Sequence, residues 1–243
     1  SDLRYFYLYT IAKQRGLDHF WMIDSDAIVL QDLSEITNSF LLPNQFCAGV
    51  STKTQDQLDW ASSPHTSFWT LKGLENFLKF LKDLHTGPFR NLLDQKYEWH
   101  IANNLPGGIC DMTALFLWQK DRQDVCNLAK IHEEGLPLFD NNLNEDGNII
   151  RHEFAMVKNV RLKRILREED IYLAITQNNS IKVPVLALHF QGRAKEYMST
   201  FERAQKITYL TYAPHAFSQH VEKRKKSLIR KIKKLFQYNI KAK

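Results

Sequence analysis

At 243 residues, 44% hydrophobic and 25% charged, the chain has the makeup of a soluble globular protein with room for one large core. No apolar run is long enough to span a bilayer, and three widely spaced cysteines (Cys47, Cys110, Cys126) argue against a disulfide framework or a zinc ribbon and suit a reducing compartment. The net charge of +6 divides unevenly: residues 220–243 hold ten Lys/Arg and one acid, which leaves the other 219 residues a formal −3.

Taken in order, residues 3–15 read as a helix with Leu3, Phe6, Tyr7 and Ile11 at helical spacing and Gly16 closing it. Phe20–Ile23 is a short apolar run suited to a buried strand. It stops at Asp24-Ser25-Asp26 and resumes at Ala27–Leu30. A further strand is expected over 45–52, a polar loop over 53–66, and another strand beginning at Phe68-Trp69. Leu71–Leu84 is an amphipathic helix built on Leu74, Phe77, Leu78 and Leu81, broken by Gly87-Pro88. Pro106-Gly107-Gly108 marks a tight turn before a helix at 110–121, which makes Trp118 a core residue; Trp99-His100 reads as an exposed pair. From 136 to 188, apolar segments alternate with turn signals, as in hairpins. Within this stretch, residues 142–153 come close to an EF-hand calcium loop, but Gly135-Leu136-Pro137-Leu138 forbids the entering helix, and a hairpin turn is the better reading. Helices near 195–206 and 218–238 finish the chain. The mixture is α/β.

The chemistry concentrates at Asp24 and Asp26. An apolar strand ending in two carboxylates one residue apart sets both at the edge where open α/β sheets bind ligands. Carboxylate oxygens are hard ligands for Mg²⁺ or Mn²⁺, which in turn can bridge a diphosphate. Asp and Ser are also ordinary turn residues, so the pair alone fits a solvated strand end equally well.

The wider segment FWMIDSDAIVLQDL (Phe20–Leu33) resembles the metal-binding strand of GT-A-fold glycosyltransferases, especially the glycogenin-like group called glycosyltransferase family eight. A second segment, LHFQGRAK (Leu188–Lys195), is similar to that family's His-x-x-Gly-x-x-Lys element. The resemblance implies a GT-A-like mixed β-sheet flanked by helices, with Asp24, Asp26 and His189 on one Mn²⁺ (or Mg²⁺) and Gly192 and Lys195 on the donor diphosphate. Imidazole, glycine and lysine suit those roles. NLPGGICDMT (Asn104–Thr113) resembles the acceptor-side segment of such enzymes. It implies Asp111 as a catalytic contact to the transferred sugar or acceptor hydroxyl, with Ser25, Gly107 and Gly108 facing donor or acceptor; Asp111 is equally a simple helix-start residue. Only some twenty residues precede the acidic strand, against at least about thirty for a βαβ unit. The chain, which opens at Ser1 rather than Met, is therefore expected to lack its N-terminal part or to build its nucleoside pocket differently.

On this reading, residues 1–215 form one catalytic domain and 216–243 a basic amphipathic helix, with Val221, Leu228, Ile232, Leu235 and Phe236 on one face. The expected function is metal-dependent transfer of a sugar from a nucleoside-diphosphate donor to a glycan or glycolipid, in a cytoplasmic protein with peripheral anionic membrane contact through its tail and no nucleic-acid partner. Two alternatives stay open: a catalytically silent sugar-nucleotide or glycan-binding domain, and a membrane-surface interaction protein in which the acidic pair is incidental.

Overall fold

The computed structural model describes residues 2–53, 58–105, 108–157, 161–178 and 181–203. Gly107, the boundary near 215 and the basic tail lie outside them. Helix α1 (Leu3–Gln14) ends where Gly16 adopts φ +64, a left-handed turn that glycine makes without strain. Strand β1 (His19–Ile23) and strand β2 (Ala27–Val29) follow, with Asp24-Ser25-Asp26 between them. Asp32 caps the short helix α2 (Leu33–Ile36) by accepting from Ser34 N at 2.8 Å. Strands β3 (Ala48–Thr52) and β4 (Ser62–Thr70) lead to helices α3 (Leu71–Thr86), α4 (Arg90–Ala102) and α5 (Asp111–Gln119). The remaining elements are β5 (Val125–Asn127), β6 (Leu138–Phe139), β7 (Met156–Val157), β8 (Leu162–Lys163), β9 (Ile165–Glu168), β10 (Ile171–Ile175), β11 (Lys182–His189) and α6 (Lys195–Arg203).

The strands form two main sheets and a two-stranded ribbon of β7 and β8. The first sheet has the order β1-β4-β3-β5, mixed because β5 runs parallel to β3. The second has the order β2-β11-β10-β9, antiparallel throughout, with β6 joined parallel to β11. β1 and β2 are consecutive in sequence but belong to different sheets. The chain therefore crosses from one sheet to the other at Asp24-Ser25-Asp26.

Three apolar clusters hold this arrangement. Tyr5, Trp69, Phe77 and Trp118 pack beneath the first sheet, with Tyr5 edge-on to Phe77 at 4.9 Å and Trp69 stacked on Trp118 at 5.6 Å. Phe154, Val185, Leu188, Phe190 and Phe201 fill the space beneath the second. Phe68, Leu128, Phe139 and Leu186 lie between the sheets, and Trp21 stacks on Phe139 at 5.4 Å. That last cluster fixes one sheet against the other.

Several expectations need correction. Residues 62–66 are strand rather than loop. Ser62-Ser63-Pro64-His65-Thr66 carries no apolar alternation although β4 is a central strand: Thr52 Oγ1 donates to Ser62 Oγ at 2.7 Å and Ser63 Oγ meets His65 Nδ1 at 2.8 Å, while Thr66 Oγ1 is buried without a partner among the described residues. The apolar stripe expected to bury α1 faces outward, with Leu3 61% and Tyr7 69% exposed, while Tyr5 and Ala12 enter the core. α4 was not expected, because its sequence is largely polar. His100 is buried rather than exposed, and neither of its ring nitrogens has a partner. Residues 140–153 form an irregular loop instead of a hairpin turn, entered from strand β6. Glu153 braces it by accepting from Asn148 N at 2.6 Å.

Candidate functional site

The crossing between sheets is built by hydrogen bonds on both sides. Asp24 N donates to His65 O at 2.7 Å, so the acidic segment starts still attached to β4. Ala27 N donates to Asp24 O at 3.0 Å, closing a tight turn. On the far side, β11 pairs antiparallel with β2 so that His189 lies opposite Ala27, and Phe190 N donates to Asp26 O at 2.8 Å. Strand register thus brings His189 beside Asp26 from the other end of the described chain.

The two side chains meet. His189 Nε2 is 3.6 Å from Asp26 Oδ2. At 2.7 Å, His189 Nδ1 faces Asn141 O, which can only accept, so Nδ1 carries a proton and Nε2 is the nitrogen turned towards Asp26. Lys195, at the start of α6, reaches the same carboxylate at 2.8 Å. Burial alone would push the Asp26 carboxyl up. The Lys195 hydrogen bond and the charges of His189 and Lys195 outweigh it and hold Asp26 below the ordinary carboxylate range. Gly192 sits at φ +57 in the turn just before α6. Its own backbone conformation, rather than crowding, requires glycine there.

Asp24 is turned the other way. Its carboxylate accepts from Arg4 at 3.3 Å, and the same guanidinium reaches Asp111 Oδ2 at 2.5 Å. Arg4 from α1 therefore bridges the acidic crossing to the first residue of α5. Asp111 also accepts from Met112 N at 3.1 Å, as a carboxylate in a first helical turn does. These groups line one cavity of about 640 Å³, ordinary for a small-molecule site. Asp24, Asp26, Asp111, His189 and Lys195 all line it; Ser25, Gly108 and Gly192 do not. Among the described residues, no group of three or more His, Cys, Asp or Glu is set to hold a metal ion.

Three contributors had escaped the sequence reading. Arg4 gave no signal beyond its place on α1. Lys53, which lines the cavity, lay in what read as a polar loop. His65 lay in the same supposed loop. Its ring stacks on His189 at 4.1 Å with 6° between the planes. His65 Nε2 donates to Asp140 O at 3.0 Å and Nδ1 accepts from the Ser63 hydroxyl at 2.8 Å, so both nitrogens of a neutral ring are satisfied.

Burial, helped by the neighbouring His189, pushes His65 down to about 3. The unfolded chain takes up a proton near the ordinary value of 6.5 that the folded chain refuses until about 3. Stability contributed here is complete above 6.5 and is lost as pH falls towards 3. The expected loss between pH 6.5 and 5 is about 2 kcal/mol. Thermal melts at the two pH values check this, and in a His65→Asn protein the same interval should cost markedly less.

The described residues thus define an α/β protein with a charged cavity where one sheet passes the chain to the other. No family model, no curated protein and no solved structure matches the chain. No described helix is long and apolar enough to cross a membrane.

Proposed function

We propose that this chain carries a GT-A-like site and transfers a sugar from a nucleoside-diphosphate donor to a glycan or glycolipid acceptor, using a divalent cation. The reading rests on one observation above all: Asp26, at the end of an apolar strand, meets both His189 and Lys195 of the downstream segment. A carboxylate oxygen and an imidazole nitrogen form a donor pair suited to Mn²⁺, with the Nδ1–H···O=C bond to Asn141 orienting the ring from behind. Asp26 and His189 would hold the ion, and Asp24 is the third donor the pattern supplies. When bound, the ion contributes positive charge where the leaving diphosphate accumulates negative charge.

The chain's own groups would do the rest. Lys195, 57% exposed, exchanges its bond to Asp26 for one to a diphosphate oxygen. Asp111 is held by Arg4 through one oxygen, and its remaining lone pairs can accept from a sugar hydroxyl. The bond from the anomeric carbon to the phosphate oxygen breaks, its electron pair leaving with the diphosphate. The acceptor oxygen bonds to the same carbon, and its proton passes to the departing diphosphate.

The test is calorimetry with nucleoside diphosphates, with Mn²⁺ and with a chelator, alongside a transfer assay. Binding should need the metal. Lys195→Ala should weaken it by at least about tenfold, since a charge-assisted bond to phosphate contributes roughly 1.5–3 kcal/mol. Failure of every nucleoside diphosphate to bind with Mn²⁺ would overturn the proposal. Unchanged affinity in the variant would remove Lys195 from the site.

A further inference from the structure

A second cavity, also about 640 Å³, adjoins the first. The two share Lys53 and Glu145, whose ion pair forms the partition between them. The chemistry of the new cavity differs from that of its neighbour. Ile149, Ile150 and Met156 give it an apolar wall, and Ile150 is 65% exposed despite its size. Arg151 and Arg161 give it two cations.

Among the described residues, neither arginine has an acidic partner, while the nearby acids are already engaged: Glu145 with Lys53, Asp146 with His152 at 2.7 Å, and Glu153 with His132. Both arginines line one concave surface, where an anion would meet two guanidinium groups.

The surrounding backbone is built for this shape. A Cβ on Gly147 would fall 1.9 Å from Ile150 O, so only glycine allows the turn that presents Ile150 and Arg151. Glu153 clamps the same turn by accepting from Asn148 N and Ile149 N at 2.6 and 3.3 Å. Arg161 stands at φ +56, a left-handed conformation unfavourable for a residue with a side chain.

We propose that this cavity is the acceptor subsite and that the acceptor is an anionic glycan, bearing a carboxylate or phosphate close to the hydroxyl that reacts. The inference rests on the glycosyltransferase reading. Arg151 and Arg161 grip the anion through paired N–H donors, and the apolar wall packs against a sugar ring's C–H face. The hydroxyl then passes over the Lys53–Glu145 partition towards Asp26 and Lys195.

The experiment titrates the full chain with three probes by calorimetry or saturation-transfer NMR: a methyl glucuronide, a sugar 1-phosphate and a neutral methyl glucoside. The anionic probes should bind measurably more tightly than the neutral one, and the tighter of the two identifies the anion. Arg151→Ala, and Arg161→Asn (asparagine tolerating the left-handed backbone), should each lower that affinity by about tenfold. Arg151→Lys should recover part of it, and nucleoside-diphosphate binding should be unchanged in all three. Equal binding of neutral and anionic probes overturns the subsite, as does anion binding lost in Lys195→Ala but retained in the arginine variants. If anions bind through the arginines while no nucleoside diphosphate binds, the anion site stands and the transferase reading falls. The converse result removes only the subsite.

Discussion

Replacing Asp26 with Asn is expected to lower sugar transfer by about a thousandfold, the range seen when a preorganised charge at a reacting centre is removed. The substitution keeps the shape, and Asp26 O still accepts from Phe190 N, so the crossing between sheets stays closed. What disappears is the negative charge that Lys195 and His189 share. The amide is a poor ligand for a divalent ion, and its NH₂ faces a lysine that can only donate. A transfer assay at saturating Mn²⁺, together with a thermal melt showing an intact fold, measures the effect. A variant that transfers at the native rate would remove Asp26 from the chemistry.

The sequence made part of this legible, for physical reasons that differ from residue to residue. The apolar run ending at His189 is visible because a buried strand needs it. The run ending at Asp24 does form a strand, but β1 lies at the sheet edge with Met22 alone buried and Ile23 42% exposed. α3 is visible because its buried side recurs every three to four residues. Pairing between distant strands leaves no local trace. The register that seats His189 opposite Ala27 could be expected only through resemblance to a known pattern. β4 was hidden because a central strand filled with Ser, His and Thr looks like a loop, and His65 was hidden with it. The α1 stripe misled in the opposite sense, since periodicity reports an apolar face but not whether the described residues cover it. Arg4 and the Lys53–Glu145 partition are tertiary contacts between unrelated segments. No spacing rule reaches them.

A buried pair beneath the site sets the largest expected stability effect. Lys163 and Asp140 form a salt bridge with both side chains 0% exposed, and Lys163 also donates to Asn148 Oδ1. Asp140 works in three directions: Oδ1 takes the lysine, Oδ2 accepts from His189 N at 3.3 Å, and its carbonyl accepts from His65 Nε2 at 3.0 Å. The pair therefore underlies both stacked imidazoles. Lys163→Met is expected to cost about 3–5 kcal/mol, because it strands a carboxylate where water cannot reach it. For a domain of this size that amounts to roughly 10 °C in Tm. The double variant Asp140→Asn with Lys163→Met should cost less than the single one, since no charge is left buried, and a double-mutant cycle by urea unfolding isolates the coupling. In the single variant, an unpaired Asp140 disturbs the backbone that carries His189, so Mn²⁺-dependent nucleotide binding should fall along with stability. A cost below about 1 kcal/mol would mean that water or another cation reaches Asp140, and that the pair does not underpin the site.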